Sequence, residues 1–156
     1  MIILSDSGPL IALSKINYLH ILNEFFNEII IPQAVWMEVV EKGNGRPGSK
    51  DVQDAYWILV NEAKDILGIE ALKHEIGVGE SETIILAKEL KADIVLIDDR
   101  IAREIAISMG LNVTGTLAII YEAINRNIIN EDFREIIKVL KKNNVWISDE
   151  LLDSFD

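Results

Sequence analysis

The sequence predicts an α/β fold built on a parallel sheet. Three observations carry this reading. Short apolar runs alternate with helical runs along the whole chain, 27 of the 156 residues are isoleucine, and two of the apolar runs end in aspartate, at Asp6 and Asp98. Alternating strand and helix patterns give parallel strands joined by crossover helices, and strands buried on both faces read as continuous β-branched runs. Acids that close such strands lie at the carboxyl edge of the sheet, where open α/β folds place their sites.

Residues 2–6 read as a buried strand. Gly8-Pro9 opens a helical run over 10–16, with proline suited to a first turn, and a second short helix covers 18–26. Glu28-Ile29-Ile30-Ile31 is the second strand, and Pro32 starts a helix bearing Val35, Trp36, Glu38, Val39 and Val40. The stretch 43–50 is the only one rich in glycine and proline, which predicts a mobile surface loop. A short helix at about 49–55 leads to a third strand over 56–60, followed by a helix at 69–75. Gly77-Val78-Gly79 breaks the chain before a strongly helical run, 80–90. The fourth strand is 94–98, a helix covers 99–109, and a short fifth strand lies at 112–114. Residues 116–126, 131–142 and 148–154 are helical. No repeat or low-complexity segment divides the chain, and its length suits one domain, 1–156, with a full core.

Composition removes several classes of function. At 49% hydrophobic residues the chain is not expected to be disordered, and the absence of cysteine excludes disulfides, thiol catalysis and Cys-ligated zinc. His20 and His74 are too far apart for a metal-type spacing. No basic leader with a small-residue cleavage site opens the chain and no apolar run reaches the length of a membrane span, so a cytoplasmic location is expected. The net charge of −11 lacks the basic footprint usual for phosphate binding. Acids that hold divalent cations would reverse that field where a phosphate docks.

Asp6, Glu38, the pair Glu80/Glu82 and Asp98 each adjoin an apolar strand or helix. Several carboxylates on one sheet edge repel one another unless a cation sits among them, and Asp99 beside Asp98 adds to the crowding. That argues for a divalent metal and, from there, for phosphodiester chemistry. Each acid also has a plainer explanation: Asp6 and Asp98 as helix N-caps, Glu38 as a solvated helix residue, Glu80 and Glu82 as first-turn acids stabilised by the helix dipole. Residues two apart do not share a helix face, so Glu80 and Glu82 can both be ligands only if Glu80 lies in the turn. Arg100 and Arg103, just after Asp98-Asp99, could steer phosphate oxygens. No phosphate-binding glycine loop and no Ser/His/Asp triad is present.

The segments Asp6-Ser7-Gly8-Pro9-Leu10, Pro32 with Val35 and Glu38, Gly79-Glu80-Ser81-Glu82, Asp98-Asp99-Arg100 with Arg103, Gly115-Thr116, and Trp146-Ile147-Ser148-Asp149-Glu150-Leu151-Leu152 follow one another in a definite order and spacing. Together they resemble the PIN-domain nucleases, in the branch of prokaryotic PIN-like proteins related to VapC toxins, over essentially the whole chain. The resemblance implies a three-layer α/β/α sandwich with a parallel sheet of about five strands. It implies an acidic quartet for Mg²⁺ or Mn²⁺, namely Asp6, Glu38, Glu82 and Asp98. Likeness to the acidic pair of flap endonucleases adds Glu80, and Asp99 stands beside the set.

The activity implied is that of a metal-dependent endoribonuclease, in one form the toxin of a toxin-antitoxin pair with an antitoxin-like inhibitor. Ser7 and Thr116 would hydrogen-bond a carboxylate or phosphate, and Arg46 and Lys50, with Arg100 and Arg103, would hold RNA. A homodimer is expected, with the apolar helices at 10–26 as the surface to bury. Two rivals stand beside this reading. One is a catalytically weak PIN module that binds RNA or a protein partner. The other is a phosphatase of the haloacid-dehalogenase type, which typically carries a second aspartate where this chain has Gly8.

Overall fold

Five strands, Ile3–Ser5 (β1), Ile29–Pro32 (β2), Ile58–Asn61 (β3), Ile94–Leu96 (β4) and Val113–Thr114 (β5), form one parallel sheet in the computed structural model, which describes residues 1–155. Their order is β3-β2-β1-β4-β5. The chain builds outward from β1 to β3 on one side, then crosses back to lay β4 against the other side of β1. The winding therefore reverses between β1 and β4, at the kind of crevice where open parallel sheets take ligands. The register there pairs Ile3 with Ile94, Leu4 with Val95 and Ser5 with Leu96.

The helices are Ser7–Lys15 (α1), Ile21–Phe26 (α2), Gln33–Trp36 (α3), Ser49–Asp54 (α4), Ile66–Leu72 (α5), Val78–Leu90 (α6), Arg100–Ser108 (α7), Thr116–Asn125 (α8), Phe133–Lys142 (α9) and Asp149–Asp153 (α10). A π-helical turn, Met37–Glu41, continues α3. Side chains on a strand alternate between its two faces, and here both faces are apolar. Ile3, Ile29, Ile31 and Leu96 pack with α1, α2, α8 and α9, whereas Leu4, Ile30, Val95 and Ile97 pack with α5, α6 and α7. Two cores on one sheet make the three-layer α/β/α arrangement. Burying each such Leu or Ile contributes about 1.5–3 kcal/mol, which is why an isoleucine-rich chain settles into a doubly covered sheet.

Two local expectations differ from what is observed. The fourth strand ends at Leu96 rather than at 98, because its partners on both sides stop there: Ser5 pairs with Leu96 on β1, and Thr114 with Leu96 on β5. The helix expected at 69–75 begins earlier, at Ile66, where the Asp65 side chain caps it by accepting from the Gly68 N–H at 3.0 Å. Leu10, Leu13, Ile21 and Leu22 are fully buried, whereas Ile11, Tyr18, Phe25 and Phe26 are partly buried. Among the described residues no helix is long and apolar enough to cross a membrane.

The stretch 43–50 is a series of hydrogen-bonded turns folded back on the π-helical turn. Arg46 N–H donates to Gly43 O at 2.8 Å, and the Ser49 hydroxyl donates to Val40 O at 3.0 Å. Gly43 is buried, and a Cβ on it would lie 2.4 Å from Val39 O and 3.0 Å from Glu38 O. Only glycine fits there. Gly43→Ala is expected to destabilise the protein by about 1–3 kcal/mol through overpacking, measured by denaturant unfolding, since the obstructing atoms are backbone and cannot swing aside.

Candidate active site

The β1/β4 register places Asp6 and Asp98 on the same edge of the sheet. Asp6 N–H donates to Leu96 O at 2.9 Å, extending the pairing one residue past β1 before the chain turns into α1. The Asp6 side chain is thereby held inside: the residue is only 5% exposed, and its Oδ1 is buried without a hydrogen-bond partner. Burial pushes its pKa up to about 7, and the charges of Glu80, Glu38 and Asp98 push the same way, against the Ser7 backbone N–H. A buried carboxylate with an unsatisfied oxygen among other acids is costly unless something positive joins it.

Asp98 lies two residues beyond β4. Part of the residue faces solvent, but its carboxylate is gripped by Thr116, whose backbone N–H reaches Oδ1 at 2.8 Å and whose hydroxyl reaches Oδ2 at 2.5 Å. The crowding of protein atoms around the carboxylate raises its pKa, while Thr116 and the neighbouring Arg103 guanidinium pull it down. Arg103 is itself fixed by an Nη1 bond to Ile97 O at 2.9 Å. Gly115 makes this approach possible, since a Cβ there would fall 2.9 Å from both Asp98 Oδ1 and Arg103 Nη1. Gly8, on α1, lies close on the other side, its missing Cβ 3.7 Å from that of Asp98.

Two helices bring further acids to this edge. Glu38 is exposed on the π-helical turn, and Glu80 is half-buried in the first turn of α6. The Glu80 carboxylate accepts from the Gly77 N–H at 2.9 Å, and its pKa is raised by burial first, then by the charges of Asp99 and Glu38. Between the two helices lies Gly79. A Cβ on it would sit 3.1 Å from Glu38 Oε2 and 3.5 Å from Asp6 Oδ1, so both oxygens border one small space.

The structure separates the two glutamates of α6. Glu80 faces Asp6, Glu38 and Asp99, whereas Glu82 turns toward α3 and accepts from the Ala34 N–H at 3.1 Å. Glu80 lies within the helix proper, so the two could not both point to one place. Glu82 thus satisfies one of the orphan donors at the start of α3, the helix that leads to Glu38. Glu82→Ala is expected to cost about 1 kcal/mol in thermal unfolding while Glu82→Gln, which keeps an acceptor, costs less.

The other candidates are placed as follows. Asp99 caps α7, accepting from Ala102 N–H at 2.9 Å. Ser7 is buried at the head of α1, and its backbone rather than its hydroxyl acts on Asp6. Arg100 is exposed at the first position of α7. Lys50 pairs with Asp54 of α4 at 3.1 Å on an open surface, and Arg46 is exposed in the turns before it. No contact joins either to the acids. Gly79 and Gly115 carry no charge and stand in the sequence only as the residues just before two candidates, Glu80 and Thr116; their closeness to the acids is visible only in the fold.

The profile of the DUF3368 family, described as a PIN domain, matches residues 2–155. The chain belongs to the PIN-domain family. A PilT N-terminus domain protein from the hyperthermophilic archaeon Sulfolobus solfataricus P2 shares the fold, at 16% sequence identity and a TM-score of 0.50, over 79% of this chain and 93% of that one. No curated protein matches the chain by sequence. PIN domains are a nuclease-type family whose members typically use divalent metals. The donors in this PIN domain fit such an ion: they are hard carboxylate oxygens, one of them is buried and unsatisfied, and the space over Gly79 is kept open between two of them. Among the described residues, no three His, Cys, Asp or Glu side chains already converge as a ready-made metal cage. The acids of the PIN domain lie within electrostatic reach of one another, not in ligating contact.

Proposed function

We propose that this PIN domain is a Mg²⁺- or Mn²⁺-dependent endoribonuclease whose acidic set is Asp6, Glu38, Glu80 and Asp98. The supporting observation is Asp6: a carboxylate at the switch point of the sheet, buried, with Oδ1 unpartnered and three other acids raising its pKa. A bound divalent ion would supply Lewis acidity, lowering the pKa of an attacking water and offsetting phosphate charge. Asp6 and Asp98 would hold it from the two central strands, with Glu38 and Glu80 facing them from the helices. Thr116 keeps Asp98 oriented and favours its ionised form by donating to both oxygens. Arg100, exposed at the head of α7, would meet a phosphate oxygen.

On this reading RNA is the substrate class that the family resemblance implies, and the free enzyme requires control. An antitoxin-like inhibitor would act by sending a basic side chain into the acidic pocket, supplying the counter-charge that the metal otherwise gives. A second reading, a PIN module that binds RNA or protein with little catalysis, is favoured by the net charge of −11 and by the open spacing of the acids.

Calorimetric titration of Mn²⁺ and Mg²⁺ into wild type and Asp98→Asn, with cleavage of a mixed RNA pool followed in parallel, separates the two. Binding with cleavage in wild type, both lost in the variant, supports the nuclease. Metal binding without cleavage favours the second reading, and no binding by wild type removes the metal site altogether.

A further inference from the structure

Gly79 is not required by its backbone. It lies in the first turn of α6 and is absent from the positive-φ glycines, which are Gly45, Gly48 and Gly110. Alanine would form that helix more readily, since glycine is the weakest helix former after proline. Nor does close helix packing demand it: Val35 Cγ2 would meet a Cβ at 3.5 Å, an ordinary van der Waals distance. The one tight neighbour is a carboxylate oxygen, Glu38 Oε2 at 3.1 Å, and the next polar one is Asp6 Oδ1 at 3.5 Å. What the missing methyl leaves open is therefore a gap bordered by two acids, one of them the buried, unpartnered oxygen.

Building on the metal-dependent reading above, we propose that Gly79 is a positioning residue that keeps this gap free for the divalent ion and lets Glu38 close on it beside Asp6. The two glutamates of α6 have distinct tasks around it. Glu80 adds negative charge, and Glu82 ties α6 to α3 through Ala34. At Gly79, between Gly77 and Glu80, α6 passes close to the Glu38 carboxylate. A methyl at this position would displace Glu38 Oε2 and occupy space between the acids without touching the charge of any of them. The effect on the ion would thus be steric and local.

The test compares wild type, Gly79→Ala and Val78→Ala, the last being a neighbouring substitution at an exposed position of the same turn. Two readouts are taken, the melting temperature without metal and Mn²⁺ binding by calorimetry. For Gly79→Ala the expected result is an unchanged or higher metal-free melting temperature together with Mn²⁺ affinity weakened at least about 10-fold. Val78→Ala should bind Mn²⁺ as wild type does. Equal Mn²⁺ affinity in Gly79→Ala and wild type would overturn the proposal while leaving the metal site intact. A metal-free melting temperature that drops further in Gly79→Ala than in Val78→Ala would assign the glycine to packing and overturn it as well. Absence of Mn²⁺ binding by wild type would instead overturn the proposed function, and this inference with it.

Discussion

Asp6→Asn is expected to raise the stability of the metal-free protein at pH 8 by about 1–3 kcal/mol and, on the proposed function, to abolish Mn²⁺ binding and RNA cleavage. The stabilising half follows from linkage. An ordinary aspartate titrates near 3.8, and burial with three acidic neighbours moves Asp6 in the folded protein to about 7. Between those values the folded chain holds a proton that the unfolded chain has released, so stability from this group is fully present below pH 4 and is lost as pH rises through 7. Asparagine keeps the shape and carries no charge, so it removes that slope. Urea melts of wild type and Asp6→Asn from pH 4 to 8 measure it, the curves diverging upward in pH. Saturating Mn²⁺ should bring the wild-type curve back up at pH 8, because the cation takes the place of the proton. A variant less stable than wild type at pH 8 would show that Asp6 is not under the strain its surroundings imply.

Thr116→Val is expected to cost about 1.5–3 kcal/mol in stability and, on the proposed function, to lower metal-dependent cleavage by about 10- to 100-fold. Valine keeps the volume and the backbone N–H bond to Asp98 Oδ1, and removes only the hydroxyl that donates to Oδ2 at 2.5 Å. Asp98 then loses the contact that holds its second oxygen and favours its charge, so its pKa climbs further. The loss of activity should therefore be larger at pH 6 than at pH 8, as the proton competes better for the carboxylate. Thr116→Ser, which restores the donor, should recover most of both effects. If Thr116→Val cleaves RNA as wild type does at both pH values, the hydroxyl is packing alone.

The strands are the most legible part of this chain. Ile29-Ile30-Ile31 and Ile94-Val95-Leu96 have few alternatives to a doubly covered sheet, and the two cores that receive their alternate side chains are what such runs demand. The sharing of one edge by Asp6 and Asp98 is readable for the same reason, since parallel strands end together. What could not be read is orientation on the helices. Glu80 and Glu82 look alike in sequence, and their separation depends on where α6 begins and on Ala34, a backbone N–H far away in the chain that claims Glu82. The π-helical turn that carries Glu38 has no local signature; Ser49, after the turns that follow it, bonds Val40 O, and Gly43 permits the close approach. Arg46 and Lys50 share their segment only by sequence, and the fold spends Lys50 on Asp54.

The pairing of Leu4 with Val95 means that β1 acquires its second neighbour only after β2, β3 and the helices between them have been made. Thr116, which holds Asp98, is later still. A nascent or half-folded chain therefore carries every acid and yet has no centre, because long-range parallel pairing forms late and cooperatively. The acidic edge would then assemble in one step with the finished sheet.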